Sequence, residues 1–330
     1  MAFDFTETGT SSLMPSHLFG TLPVLKLRLR LTTDPEASLP SFLGSAWRGL
    51  IGWELRRLVC PLDSVPTCAK CAIREHCPYF LLFEKDSNLP GLSESPRGYI
   101  LYPPPANGGG DPELHVTLLG SCVKFVPVLV MALIRGQKTG LGTSRLHYRI
   151  VSLEEIAPGG TVLPIPLDPE SLSCLREGYP LEQWLDGIPE SPGNFTVRLA
   201  TPVRLRKKGV YLSSMDWPFF FESVARRLES ISCLYSGGSP MGKDLWQELQ
   251  RRLENIEGIQ ARLRWQEYTR YSNRQKSKVP MGGLVGEATM TDAPAWLLPW
   301  WRAASLVHVG KGASMGLGKV EIDIGSTGRL

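Results

Sequence analysis

LVHVGKGASMGLGKVEI, residues 306–322, closes an apolar run, passes four glycines within 310–318 and opens an alternating strand pattern. A weaker version stands 176 residues earlier. Gly140-Leu141-Gly142 falls on Gly316-Leu317-Gly318, Arg135-Gly136 on Lys311-Gly312, and Arg28 and Arg30 on Arg204 and Arg206. Working outward from each glycine run gives the same order twice: strand, helix, strand, strand, helix, glycine loop, strand. In the first half VLKLRLRLTT (24–33) alternates apolar and basic side chains, the period of a strand with one wet face. LPSFLGSAWRGLIGWELRRLVC (39–60) reads as a helix. Its small-and-basic face, Ser41, Ser45, Arg48, Gly52 and Arg56, opposes Leu43, Trp47, Leu50 and Leu58. The second half repeats the plan with FTVRLATPVRLRKKG (195–209), WPFFFESVARRLESISCLY and WLLPWWRAASLVHV.

The fold class expected is therefore α+β: two tandem ferredoxin-like, RRM-like βαββαβ domains. Residues 1–20 are expected as an N-terminal arm and 21–157 as the first domain. The proline-rich stretch 158–193 is expected as a linker, and 194–330 as the second domain.

With 330 residues and 42% apolar side chains, a sizeable core is available and wholesale disorder is excluded. The net charge of +4 hides an asymmetry: residues 1–193 carry −4 and residues 194–330 carry +8, which suits a polyanion at the C-terminal half. The acidic N-terminus lacks a leader pattern. The longest apolar run, Phe125 to Ile134, contains Pro127 and is too short to span a bilayer, so no membrane partner is expected. Seven cysteines, four of them crowded into 60–77, suit a thiol-reduced cytoplasmic chain better than a disulfide scaffold.

Those four are spaced Cys60-x7-Cys68-x2-Cys71-x5-Cys77, and four soft thiolates can close a tetrahedral Zn²⁺ site. A small structural zinc insert in the first domain is the expectation, with no catalytic metal. His76 as a substitute ligand, an iron–sulfur cluster and unrelated core cysteines are the alternatives. Gly310, Gly312, Gly316 and Gly318 let a phosphodiester approach the backbone, with Ser314 between them and Lys311 and Lys319 beside them. The order helix, loop, strand is the reverse of a P-loop, which disfavours ATP. Arg270-Tyr271-Ser272-Asn273-Arg274-Gln275-Lys276-Ser277-Lys278 places four cations and a tyrosine on one turn, suited to phosphate contacts and base stacking. No G-x-S-x-G or H-E-x-x-H occurs. His308 is the histidine nearest the glycine loop.

RYSNRQKSKVPMGGLVGEATM (270–290) followed by LVHVGKGASMGLGKVEI resembles the C-terminal domain of the CRISPR pre-crRNA-processing endoribonucleases of the RAMP superfamily. LATPVRLR (199–206) looks like that domain's opening strand. LPSFLGSAWRGLIGWELRRLVC with the cysteine cluster resembles a subgroup carrying a zinc knuckle. The resemblance implies binding of a CRISPR repeat and one cut by metal-independent 2′-hydroxyl attack, leaving a 2′,3′-cyclic phosphate and a 5′-hydroxyl. It also implies blindness to DNA and association with CRISPR RNA and other effector subunits. Many members place a histidine in or near the first helix, where this chain has Trp47 and Arg48. The catalytic candidates are then His308, Lys311, Tyr271 and Arg48. The RNA-binding candidates are Arg204, Arg206, Arg270, Arg274, Lys276, Lys278, Lys319, Ser314 and the four loop glycines. A non-catalytic RAMP-type subunit is the competing reading.

Overall fold

The computed structural model describes residues 13–34, 42–61, 68–85, 95–105, 111–173, 177–188, 193–272, 277–292 and 294–324. They divide into two compact units. One is residues 23–178; the other joins residues 13–22 to residues 179–324.

In the unit of residues 23–178, β1 (Pro23–Thr33) pairs antiparallel with β3 (Glu113–Leu119) on one side and β4 (Tyr148–Ile156) on the other. β2 (Tyr99–Tyr102) flanks β3, and β5 (Val162–Ile165) flanks β4. The order is β2-β3-β1-β4-β5. The alternation of β1 does the sorting. Leu25, Leu27, Leu29 and Leu31 are buried, each worth about 1.5–3 kcal/mol over exposure. Lys26, Arg28 and Arg30 take the opposite face, where Arg28 Nε donates to Glu154 Oε2 at 2.6 Å.

Helix α2 (Gly44–Val59) follows β1 and packs on α3 (Val126–Thr139), which precedes β4. Trp47, Leu50, Ile51 and Leu55 are the buried stripe of α2. The small-and-basic face is partly covered: a Cβ on Gly52 would stand 3.0 Å from the Phe83 ring, and Arg48 sits over that ring. Ser41 lies outside the described residues. The helical path Gly120–Thr139 is long and apolar enough to cross a membrane by length and composition. Here it is a core helix, with Val126, Leu129, Val130 and Leu133 buried.

The other unit has β6 (Phe195–Val203) at the centre of an antiparallel sheet. Its order is β9-β12-β6-β13, from β9 (Ile259–Gln266), β12 (Gly283–Met290) and β13 (Val320–Asp323). Two short hairpins leave it. One is β7 (Arg206–Lys207) with β8 (Val210–Tyr211); the other is β10 (Thr269–Ser272) with β11 (Ser277–Pro280). Helix α5 (Trp217–Tyr235) starts at Asp216, whose Oδ1 accepts from the Phe219 amide at 3.0 Å, with Pro218 in the first turn. Against α7 (Leu297–Val307) it builds an aromatic core. Phe220 and Phe221 stand 5.0 and 4.8 Å from Trp301, ring centre to ring centre. Helix α6 (Lys243–Glu254) packs on α5.

Two boundaries differ from expectation. Residues 1–12 of the expected arm lie outside the described residues, but 13–20 are packed. Leu13 and Phe19 are buried, and α1 (Pro15–Phe19) rests on α4 (Leu181–Leu185), α5 and α7. The expected linker 158–193 is not a plain connection. It supplies β5 to the first sheet and α4, with buried Leu181 and Trp184, to the other unit.

Candidate functional site

Helix α7 ends at His308, and the glycine loop begins there. His308 has φ 55°, its amide donates to the Ala304 carbonyl at 3.0 Å, and its Nδ1 lies 3.0 Å from the Leu317 carbonyl oxygen. At 3% exposure this histidine terminates the helix and ties down the loop's return. The imidazole of His308, the histidine expected to act in catalysis, is thus enclosed.

The loop is fastened at several points. Val309 N–H donates to the Gly318 carbonyl at 3.0 Å, Lys311 N–H to the Arg204 carbonyl at 2.9 Å, and Gly318 N–H to the Pro202 carbonyl at 3.0 Å. The Thr201 hydroxyl donates to the Gly316 carbonyl at 2.8 Å and accepts from the Lys319 amide at 2.9 Å. All four glycines have positive φ. A Cβ on Gly310 would stand 2.6 Å from the Arg204 carbonyl oxygen, and one on Gly318 would strike the Val309 backbone. These glycines are required by the chain's own folding, before any ligand is considered. Ser314 lies half-buried in the turn Ala313–Met315.

Arg204 binds this loop to the base of the β10–β11 hairpin. Nε donates to the Gly282 carbonyl at 2.9 Å and Nη2 to the Pro280 carbonyl at 3.1 Å, while the guanidinium lies over Tyr211 at 4.7 Å. It is buried, so Arg204 is a brace and not the exposed phosphate contact expected. Nor is it equivalent to Arg28, which lies mid-strand in an ion pair. Arg206 is exposed; its Nε donates to the Gly209 carbonyl at 2.7 Å. Lys319 turns inward, Nζ donating to the Ser305 carbonyl at 3.0 Å. Burial pushes its ammonium down to about 8, helped by Arg302 and opposed by Glu321. That placement also differs from an outward phosphate contact.

On the hairpin, Tyr271 pairs with Lys278 across the strands, Arg270 is half-buried and Lys278 exposed. Arg274 and Lys276 lie outside the described residues. The structure thus brings together Lys311, Arg204, Arg206, the glycine loop and the base of the hairpin. Arg48 belongs to the other unit. There its Nε donates to the Tyr99 hydroxyl at 3.1 Å and its guanidinium covers Phe83, an arrangement that packs the arginine where a catalytic group was expected.

Arg227 escaped the sequence reading. Its Nε donates to the Val307 carbonyl at 2.7 Å, at the helix end where the glycine loop starts, and burial lowers its pKa to about 10. The signal was there: Arg227 falls between Val224 and Ile231 on the apolar stripe of α5.

Cys60, Cys68, Cys71 and Cys77 line one cavity with Arg56 and Tyr79. Cys71 N–H donates to the Cys68 carbonyl at 3.1 Å, and Cys77 N–H to the Arg74 carbonyl at 3.2 Å, folding the segment into consecutive tight turns. Burial, then Glu84, pushes the Cys68 thiol up. The donor chemistry and shared cavity fit a thiolate-bound metal. Among the described residues, however, no three His, Cys, Asp or Glu side chains are drawn together as a ligand set.

In comparison with known proteins, residues 22–172 match the model of an N-terminal domain family and residues 197–320 match that of the CRISPR-associated endoribonuclease Cas6. An uncharacterized protein of Archaeoglobus fulgidus is 31% identical over 145 residues, 43% of this chain and 49% of that protein. The chain thus spans about half the length of that relative. A Cas6 product complex matches in structure with a TM-score of 0.57 at 17% identity, over 90% of this chain and 98% of that one. Cas6 of Thermus thermophilus matches with 0.54 at 17% identity, over 91% and 98%. At such identity these two likenesses are of fold.

Proposed function

We propose, from the match of residues 197–320 to the model of the CRISPR-associated endoribonuclease Cas6, that this chain binds CRISPR precursor transcripts and cuts them once within the repeat. The carrying observation is the glycine loop held by Arg204 against the base of the basic hairpin, with Lys311 and Arg206 beside it. We read both sheets as ferredoxin-like on their matching strand orders.

The reaction we infer needs no metal. The 2′-oxygen next to the scissile phosphate attacks phosphorus in line and gives its proton to a base. The bond from phosphorus to the 5′-oxygen breaks, and that oxygen takes a proton from an acid. The products are a 2′,3′-cyclic phosphate and a 5′-hydroxyl. Lys311 is assigned to stabilise charge on the crowded phosphorane, where losing one such donor typically costs about 10²–10³ in rate. Tyr271 is the candidate for proton transfer, in preference to the enclosed His308. DNA, lacking the 2′-hydroxyl, is not a substrate, and the setting is the cytoplasm. A labelled repeat RNA incubated with the protein in EDTA is expected to yield those ends. A single deoxy substitution at the cut should abolish cleavage with binding retained. Cleavage of the deoxy substrate, or its loss in EDTA with the fold intact, overturns the mechanism.

A second reading, an RNA-binding subunit that holds crRNA among effector subunits without cutting, draws on the packed Arg48 and enclosed His308. Retention of the repeat without products would favour it. Separately, Cys60, Cys68, Cys71 and Cys77 are proposed to hold a structural zinc ion, whose bonds would add folding free energy to a segment with little core of its own.

A further inference from the structure

Helix α2 buries Trp47 and turns Trp53 outward. Trp53 is 59% exposed, the most exposed large aromatic among the described residues. An indole left in water forgoes burial that Trp normally dominates. The helix's own packing does not ask for it, because the buried stripe runs through Leu50, Ile51 and Leu55. One turn earlier stands Gly49, where a Cβ would meet only open space, so the surface beside the indole is low and flat.

The exposed charges on α2 beside Trp53 and on the facing α3 are cations. Arg57, one turn on, and Arg135 of α3 each reach the Glu54 carboxylate at 3.4 Å from exposed positions. Glu54 itself is 1% exposed and also accepts from the Thr139 hydroxyl at 2.5 Å, so the negative charge is enclosed while the guanidiniums remain at the surface. Lys138 and Arg145, both exposed, extend the cationic surface along α3 and the loop after it. That loop runs beside α2, since a Cβ on Gly142 would stand 3.8 Å from that of Ala46.

We propose that Trp53 is a stacking platform for an unpaired base of the bound RNA, with Arg57, Arg135 and Lys138 taking the flanking phosphates. This rests on the RNA-binding reading above and adds a contact surface in the unit of residues 23–178. An exposed aromatic on a helix that carries fixed cations suits a single strand, whose bases all offer a π-face whatever their sequence.

The experiment titrates a labelled CRISPR repeat RNA with unpaired flanks against the full chain over a series of salt concentrations. Trp53→Ala is expected to weaken binding about 5- to 100-fold, the usual effect of losing one stacked base. The slope of log affinity against log salt should stay unchanged, because stacking releases no counterions. Trp53→Phe should restore most of the affinity. Arg57→Gln with Lys138→Gln should instead flatten the slope by about 0.7 per lost contact. RNA should also quench wild-type indole emission by an amount that Trp53→Phe lacks, a readout that survives if Trp53→Ala fails to fold. Wild-type affinity in Trp53→Ala, while the wild type binds, would overturn this inference and leave the RNA reading standing. So would loss of a protein–protein association in that variant with RNA affinity intact. No RNA binding by the wild type at any salt would remove both.

Discussion

Lys319 holds its proton against the preference of its surroundings. Unfolded, the amine titrates near 10.5; folded, near 8. Below pH 8 both forms are protonated and the cost of burial is present in full. Between pH 8 and 10.5 the unfolded chain binds the proton that the folded chain has released, so stability rises with pH through that window, by at most about 1.4 kcal/mol per unit. Urea melts at pH 7.5 and 10 should show that rise in the wild type and a smaller one in Lys319→Met. His308 calls for a different expectation. Replacing it by Ala removes the contact with the Leu317 carbonyl while keeping a positive φ, and should lower stability by about 1–2 kcal/mol without changing the shape of a pH–rate profile. A lost limb near neutrality in His308→Ala would return the imidazole to the chemistry. At this scale the sequence was a poor guide to side-chain direction. His308, Lys319 and Arg204 all stand where a ligand was expected, yet each turns its polar group onto a backbone carbonyl. Residue type and spacing do not encode that choice.

Secondary elements were more readable, because their periods are set by backbone geometry. The alternation of β1 recurs in its burial, and of the apolar face expected for α2, Trp47 and Leu50 are buried, with Ile51 and Leu55 in place of the half-buried Leu43 and Leu58. The glycine loop was readable as a helix-to-strand connection, but the reason for its glycines was not, since Arg204 and Val309 meet them only after folding. Gly310→Ala should therefore be destabilising by more than about 1 kcal/mol, from a strained φ of 87° and a clash with the Arg204 carbonyl. Thermal melting tests it, and an unchanged midpoint would mean that the loop yields at no cost. The cysteine segment depends on another kind of stabilisation. If zinc holds it, Cys68→Ser with Cys71→Ser should abolish stoichiometric metal and lower the melting point. A purified wild type without zinc, melting identically in a strong chelator, would show that the turns hold by themselves.

Over the whole chain, a mixed α+β fold with antiparallel sheets was legible from the strand and helix periods, and the charge asymmetry from simple counting. With +8 on residues 194–330, RNA affinity should fall steeply with salt. Neutral replacements of Arg206 and Lys311 together should flatten the slope by roughly 1.5 units if both meet phosphates. An intact slope would move the polyanion surface elsewhere. What could not be read was the assignment of residues 13–22. Leu13 and Phe19 look like part of a loose leader, and nothing in their spacing says that their partners lie beyond residue 178. That assignment makes the unit of residues 23–178 an insertion within the other. During synthesis α1 leaves the ribosome first, and its apolar side chains must wait, uncovered, while the whole inserted unit is made. Only when α4, α5 and α7 emerge can they be enclosed. The second unit therefore closes last and carries the longest-range contacts, which makes it the slower folder and the part of the nascent chain most in need of protection from aggregation.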